Sequence, residues 1–274
     1  MNINDTIVAQ STAFGESALA IVRITGKDAI KIANKVFPNK DLNKVKSHTI
    51  HFGNIIHNDE VIDEVLVSVF KEPNSYTKEN LIEISCHGSS YIIKKIITIT
   101  IDLGARIANK GEFTFRSFIN GNMDLSQAEA VADIISSNSK NSHKLAINHI
   151  KGVFSSKIKE LRKDLIDFSS LLELELDFSE EDVEFANRKK LNKTVKEIID
   201  YSDILIDSFK LNNVIKDGIN IIILGKPNVG KSTILNALLD EEKAIISNIP
   251  GTTRDIIEDT ITIGGNIVRF IDTA

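Results

Sequence analysis

The sequence holds one cysteine, Cys86, in 274 residues, so no intramolecular disulfide can staple the fold and a reducing compartment is expected. It has no apolar run of about 18 residues, the length that crosses a bilayer as a helix. The first residues, among them Asn2, Asn4 and Asp5, form no basic leader with an apolar core. The expectation is a cytoplasmic chain with no membrane partner. A formal net charge of −5 excludes a generally basic nucleic-acid coat, so an RNA partner must meet a local patch. There is no low-complexity tract and no internal repeat of roughly 20 to 50 residues, which sets tandem arrays aside. What is present is a globular composition, 42% hydrophobic and 26% charged, with length enough for two or three domains that each bury a core.

The first 120 residues alternate β-rich runs with helix-like stretches: Ala18 to Ile24, Lys27 to Val36, Val61 to Phe70. Leu81 to Ser85 reads as a buried strand, followed by a turn at Gly88 and an amphipathic helix from Tyr91 to Ile101. This is the grammar of an α/β or α+β domain. Cys86-His87 has no second cysteine or nearby histidine to complete a ligand set, and reads as structural. From Leu125 the pattern turns helical, with Ser126 and Glu129 spaced as a capping box. Ile158, Leu161, Leu165, Phe168 and Leu172 form one helical stripe, and Val195, Ile198, Ile199, Leu205, Ile206 and Phe209 a second. The acidic stretch between them, Glu173 to Glu184, reads as a solvated helix end or loop.

At Gly218 the grammar shifts again. Ile219 to Leu224 is a nearly continuous apolar run, expected for a strand buried on both faces of a parallel sheet. Gly225-Lys226-Pro227-Asn228-Val229-Gly230-Lys231-Ser232-Thr233 follows at once and fits the phosphate-binding loop G-x-x-x-x-G-K-[ST] in full. Its glycines let the main chain curl so that successive N–H groups point at phosphate oxygens. The start of the next helix, where Ile234, Leu235, Leu238 and Leu239 form the packed side, adds about 0.3 to 2 kcal/mol for an anion. Lys231 supplies a full charge for the β- and γ-phosphates, and Ser232 a hydroxyl for Mg²⁺.

Ser247-Asn248-Ile249-Pro250-Gly251-Thr252-Thr253 lies where a switch loop brings a threonine hydroxyl, that of Thr253, to metal and γ-phosphate. Thr260 to Ile263, a turn at Gly264-Gly265-Asn266, and Ile267 to Asp272 then read as a hairpin ending in an acidic residue that holds Mg²⁺ through water. Nucleotide contacts are therefore expected at Asn228, Val229, Gly230, Lys231, Ser232 and Thr233, across Ser247, Asn248, Ile249, Pro250, Gly251, Thr252 and Thr253, and at Asp272, Thr273 and Ala274. Lys231 and Thr253 are the candidate catalytic residues, and Ser232 and Thr253 the Mg²⁺ ligands.

Five further segments narrow the reading. Asp5 to Ala9, Ala20 to Gly26, Ile82 to Gly88, Gly111 to Thr114 and Asp124 to Ala130, with GKPNVGKSTILNALL, PGTTRD and DTA, resemble in order the MnmE (TrmE) family of bacterial tRNA wobble-uridine modification GTPases. The resemblance spans essentially the whole chain. It implies an N-terminal α+β domain that dimerises and binds 5-formyltetrahydrofolate (1–120), a helical domain (121–215) and the start of an inserted P-loop GTPase domain (216–274). It also implies a flavoprotein partner, MnmG, in a heterotetramer that adds a carboxymethylaminomethyl or aminomethyl group at C5 of the wobble uridine of certain tRNAs. The family's folate contacts fall on Arg23, Glu83 and Asn122, the last a departure, since that position is normally lysine and the amide has lost the charge. Hydrolysis in the family is potassium-stimulated, and the matching K⁺ positions are Asn228, Ser247, Ile249 and Thr252.

The sequence ends at Asp272-Thr273-Ala274, ahead of the guanine-reading segment and returning helices that the resemblance implies. The expectation is that these residues alone bind nucleotide weakly and hydrolyse it slowly. The alternatives are a folate-binding dimerisation module with an inactive GTPase remnant, a ribosome-assembly GTPase, and an ATPase. The ribosome-assembly reading leaves Asp5 to Gly26 and Ile82 to Gly88 unexplained.

Overall fold

The computed structural model of the chain describes residues 5–177, 188–217, 219–223 and 258–272. They form two compact units, 1–128 and 129–274.

The first unit is built on a six-stranded sheet in the order β3-β4-β5-β2-β1-β6, with β1 Ile7–Gln10, β2 Ser17–Thr25, β3 Thr49–His57, β4 Glu60–Phe70, β5 Leu81–Gly88 and β6 Arg106–Ile107. All neighbours are antiparallel except β1 and β6. Alternation decides which face of the sheet is the core. Ala20, Val22 and Ile24 of β2 pack with Val65, Val67 and Val69 of β4 and Ile82, Ile84 and Cys86 of β5. Over them lie α1 (Ala29–Val36) and α2 (Ser90–Asp102) through Ile32, Ala33, Ile93, Ile96 and Ile99. The expected strand-turn-helix from Leu81 is β5 followed by α2. Gly26, just after β2, has φ +129°, and a Cβ there would meet the Asp5 carbonyl at 2.6 Å, so only glycine lets the two segments approach.

The residues between those core positions, Ile21, Arg23 and Thr25, face the opposite side. Helix α3 (Glu112–Ile119) sends Phe113 over Arg23 on that side. Buried charges anchor this helix. Arg116, 1% exposed, donates to the Asp5 backbone carbonyl at 2.7 Å, to the Asp5 carboxylate, to Glu79 at 3.4 Å and to Glu112 at 3.3 Å. Arg106 forks onto both oxygens of Glu112, at 3.0 and 2.7 Å, and reaches Asp5 at 2.8 Å. Hydrogen bonds from Arg106, joined by the Asn109 backbone N–H and Arg116, hold the Glu112 carboxyl at about 2 against the opposing effect of burial. Asp5 is lowered mainly by Arg106, whereas burial raises Glu79.

The second unit begins in α4 (Leu125–Ser136) and continues through α5 (Lys140–Ile150), α6 (Val153–Asp177) and α7 (Arg188–Asp217). Helix α4 starts where expected, but its capping box lies two residues before the expected Ser126–Glu129 pair. The Gln127 N–H donates to Asp124 Oδ1 at 3.0 Å and the Asp124 N–H to Gln127 Oε1 at 2.9 Å. Asp124 brings a full negative charge to the helix start, which a serine at the second turn position cannot. A second reciprocal cap joins Ser139 and Ser142 at the start of α5. The two hydrophobic stripes fall on α6 and α7, where Leu161 and Phe168 are buried while Ile158, Leu165, Val195 and Ile199 stay partly exposed. Glu173 lies in the last turns of α6, and 178–184 of the acidic stretch are outside the described residues.

A three-stranded sheet in the order β7-β9-β8 completes this unit: β7 Ile219–Ile223, β8 Glu258–Ile263, β9 Asn266–Asp272. The strand expected at Ile219 to Leu224 is β7, parallel to β9. Its expected burial on both faces is not found: Ile219, Ile221 and Ile222 are exposed, since pairing along the edge with β9 satisfies the backbone and covers neither face. The expected hairpin is β8–β9. Gly264 and Gly265, at φ +60° and +82°, make its two-residue turn, whose left-handed backbone is native to glycine.

The acid response of the buried cluster follows from sign. Glu112 is depressed in the folded protein, so its contribution is complete above the ordinary carboxylate range and is lost as pH falls from about 4.5 to about 2. Glu79, raised by burial, works in the opposite sense. Urea unfolding between pH 5 and pH 2, values bracketing that window, is expected to show Glu112→Gln losing roughly 2 to 3 kcal/mol less on acidification than the unaltered chain. Parallel pH curves would mean that Glu112 does not carry the effect.

Candidate functional site

On the face of the sheet opposite α1 and α2, Arg23 and Glu83 are register partners on the central strands β2 and β5. The Arg23 Nε and Nη2 atoms donate to Glu83 Oε1 at 2.9 and 2.7 Å. Both side chains keep about a quarter of their surface, 25% and 22%. The Arg23 guanidinium also lies 5.4 Å from the ring centres of both Tyr76 and Phe113. A weakly hydrated planar cation packs well against aromatic faces, so the rings and the carboxylate together fix it in one place.

Asn122 lies apart from this pair, at the lip of a groove of about 580 Å³ lined by His48, Phe70, Pro73, Asn74, Ser75, Tyr76, Lys78 and Asn122. Tyr76 belongs to both places, its ring to Arg23 and its main chain to Asn122. The three expected folate residues are thus an ion pair and a neighbouring groove residue joined through one tyrosine. Four hydrogen bonds tie the β4–β5 connection to the end of α3 and the chain that follows it. Ser117 Oγ, at 2.5 Å, and Asn122 Nδ2, at 2.9 Å, donate to the Tyr76 carbonyl. Asn120 Nδ2 donates to the Thr77 carbonyl at 2.7 Å, and Lys78 Nζ to the Gly121 carbonyl at 2.8 Å. Tyr76 and Lys78 leave no trace in the sequence, because a lone aromatic or lysine in a connection has no periodicity to betray it, and Phe113 falls in the Gly111 to Thr114 segment without a role of its own.

Cys86 is buried, and burial pushes its thiol up to about 11, so it stays protonated and unreactive near neutrality. His87 binds Asp63, with Nδ1 2.7 Å from Oδ1, and its backbone N–H donates to Oδ2 at 2.8 Å. Among the described residues no group of three or more histidine, cysteine or acidic side chains could hold a metal ion, and no helix is long and apolar enough to cross a membrane.

In the second unit, β7 and β9 run parallel with Ile223 opposite Asp272. The chain leaves β7 at that same end. Asn228, Val229, Gly230, Lys231, Ser232 and Thr233, then Ser247, Asn248, Ile249, Pro250, Gly251, Thr252 and Thr253, and finally Thr273 and Ala274, lie outside the described residues. On the helical side Asn141 holds the β8–β9 turn. Its N–H donates to the Gly265 carbonyl at 3.3 Å, and Nδ2 to Asn266 Oδ1 at 3.0 Å and the Gly264 carbonyl at 3.4 Å.

An α+β domain with one open sheet face, followed by a helical domain that carries a parallel strand pair, defines a multidomain protein of mixed α/β and α class. Two family models match it, "GTP-binding protein TrmE N-terminus" over residues 6–122 and "MnmE helical domain" over residues 125–268, and the chain belongs to the MnmE (TrmE) family. It is 57% identical over 273 residues to the tRNA modification GTPase MnmE of Flavobacterium johnsoniae, covering 98% of this chain and 59% of the relative. To the proteins of the same name from Flavobacterium psychrophilum and Bacteroides thetaiotaomicron it is 56% and 52% identical, over 100% and 98% of this chain and 60% and 59% of theirs. The chain thus spans about three fifths of the length of these relatives.

The value of the Arg23–Glu83 pair is measurable. A double-mutant cycle of Arg23→Met and Glu83→Gln, read by urea unfolding at neutral pH, is expected to give a coupling of about 1 to 2 kcal/mol, more than an exposed pair and less than a fully buried one. A coupling near zero would show that the aromatic rings alone hold Arg23.

Proposed function

We propose that the intact protein to which this chain belongs is a GTP-binding and GTP-hydrolysing enzyme of tRNA modification. The observation that carries the reading is the parallel pair β7–β9 with Asp272 in register with Ile223. The chain leaves β7 at Ile223 beside Asp272, the acidic residue proposed to serve Mg²⁺, at the carboxyl ends of parallel strands where such sheets bind ligands, and the phosphate-loop sequence Gly225 to Thr233 follows next in the chain. The relatives' printed name, tRNA modification GTPase, agrees.

In this reading Lys231 grips the β- and γ-phosphates, Ser232 and Thr253 hold Mg²⁺, and the main chain of Asn228 to Thr233 cradles the phosphate oxygens. Asn228, Ser247, Ile249 and Thr252 hold K⁺, whose charge does for the transferring phosphate what an arginine finger does elsewhere. The domains divide at 1–120, 121–215 and 216–274, the last inserted in the helical domain. The family match running unbroken over 125–268 supports that insertion.

The N-terminal domain is proposed to bind 5-formyltetrahydrofolate around Arg23, Glu83 and Asn122 and to form a homodimer. Phe52, Leu66, Ser85 and Ile21 are successive register partners across four strands on the open sheet face, and Phe52 is 68% exposed. An apolar row of that kind supports burial against a second copy. With an MnmG-like flavoprotein, in a heterotetramer in the cytoplasm, the protein would install the carboxymethylaminomethyl group at the wobble uridine of tRNA, with the folate as one-carbon source.

Calorimetric titration of the full-length protein with GDP and Mg²⁺ is expected to show binding that Lys231→Ala abolishes, and absence of heat in the unaltered protein would remove the reading. GTP hydrolysis is expected to be faster in KCl than in NaCl at equal ionic strength, and equal rates would strike K⁺ from the mechanism.

A further inference from the structure

We propose that Lys78 is the cation that receives the anionic end of the ligand bound in the groove beside Arg23, and, resting on the folate reading above, that it pairs with the glutamate carboxylates of the folate. Charge already satisfied elsewhere points to it. Arg23 has its charge matched by Glu83 at 2.7 Å and its faces covered by Tyr76 and Phe113. Asn122 has its amide donors engaged within the protein, by the Tyr76 carbonyl at 2.9 Å and Ser117 Oγ at 3.2 Å. An amide nitrogen carries two donors and no more. Asn122 therefore frames the groove and does not reach into it as a donor.

Lys78 differs on each count. Its ammonium, with three donors, gives one to the Gly121 carbonyl at 2.8 Å, the residue next to Asn122. Among the described residues lining the groove it alone bears a full positive charge, and none is a carboxylate. The rest of the wall is aromatic or neutral, with the edge-to-face pair of His48 and Phe70. A groove of about 580 Å³ with aromatic sides and one cation suits a planar heterocycle carrying an acidic tail. The backbone of Lys78 sits at φ +57°, where a side chain is rarely tolerated and glycine is the easy choice. A lysine kept at such a place is a local cost that folding alone does not require, and an outlier of this kind argues for use.

The test separates affinity from stability. The full-length protein and its Lys78→Gly and Lys78→Arg variants are titrated calorimetrically with 5-formyltetrahydrofolate and with 5-formyltetrahydropteroate, which lacks the glutamate. Lys78→Gly is expected to bind the folate about tenfold more weakly, the effect of one lost charge-assisted hydrogen bond. It should bind the pteroate unchanged and melt close to the unaltered protein, the relieved left-handed backbone offsetting the lost Lys78–Gly121 hydrogen bond. Lys78→Arg is expected to keep the folate affinity. Unchanged folate binding by Lys78→Gly, or equal weakening for both ligands, overturns this inference and leaves the folate reading standing. No folate binding by the unaltered protein overturns that reading and this inference with it.

Discussion

One buried guanidinium organises the N-terminal unit. Arg116 reaches the Asp5 main chain and carboxylate, Glu79 in the β4–β5 connection, and Glu112 one turn back on its own helix. A charge taken out of water is tolerated only when its donors are met, and removal of a partner costs more than the pair contributes. That constraint fixes three pieces of chain against one another: the entry to β1, the connection that bears Tyr76 and Lys78, and the helix that bears Phe113. Tyr76, Lys78 and Phe113 belong to these pieces, and Arg23, Glu83 and Phe70 to the sheet beneath, while His48 and Asn122 come from the connections before β3 and after α3. The site's shape is therefore set by electrostatics a turn away from it together with the hydrogen bonds that Tyr76, Lys78 and Asn122 of the lining make to hold the connection in place.

The sheet supplies what the cluster cannot, a base of paired strands beneath Arg23 and Glu83. Because β2 and β5 are central strands, the Arg23–Glu83 pair is held by ladders on both sides. On this base an ion pair left a quarter exposed keeps its geometry while remaining open to a ligand. The same face leaves Phe52 and Leu66 uncovered, so it is polar toward α3 and apolar toward β3.

How much of this was readable beforehand depended on whether a feature has a period. Strands β2, β4 and β5 and helices α1 and α2 were legible because alternation and the 3.6-residue stripe are imposed by burial, which acts on every turn of the chain. The β8–β9 hairpin was legible because two consecutive glycines suit a turn that needs positive φ at both positions. The box at α4 was misplaced because Asp124-Leu-Ser-Gln and Ser126-Gln-Ala-Glu offer overlapping caps, and only the packed helix selects the carboxylate. The burial expected of β7 failed because composition reports what a strand prefers to touch, while its neighbours decide what it does touch. Arg23, Glu83 and Asn122 were reached by family resemblance, since an isolated arginine and glutamate 60 positions apart carry no local signal. The charged cluster around Arg116 was missed altogether, its members being scattered from Asp5 to Arg116.

Asn141 has a mechanical consequence for the second unit. It takes hold of the hairpin tip through two carbonyls and one amide, and a Cβ on Gly265 would stand only 3.3 Å from it. Two of these bonds act on the peptide backbone at the tip and the third on the Asn266 side chain. The opposite end of β9 carries Asp272, about seven residues, or some 23 Å, down a stiff rod. Because β9 also lies against α7, a tilt of that rod would load this asparagine joint together with the helix beside it.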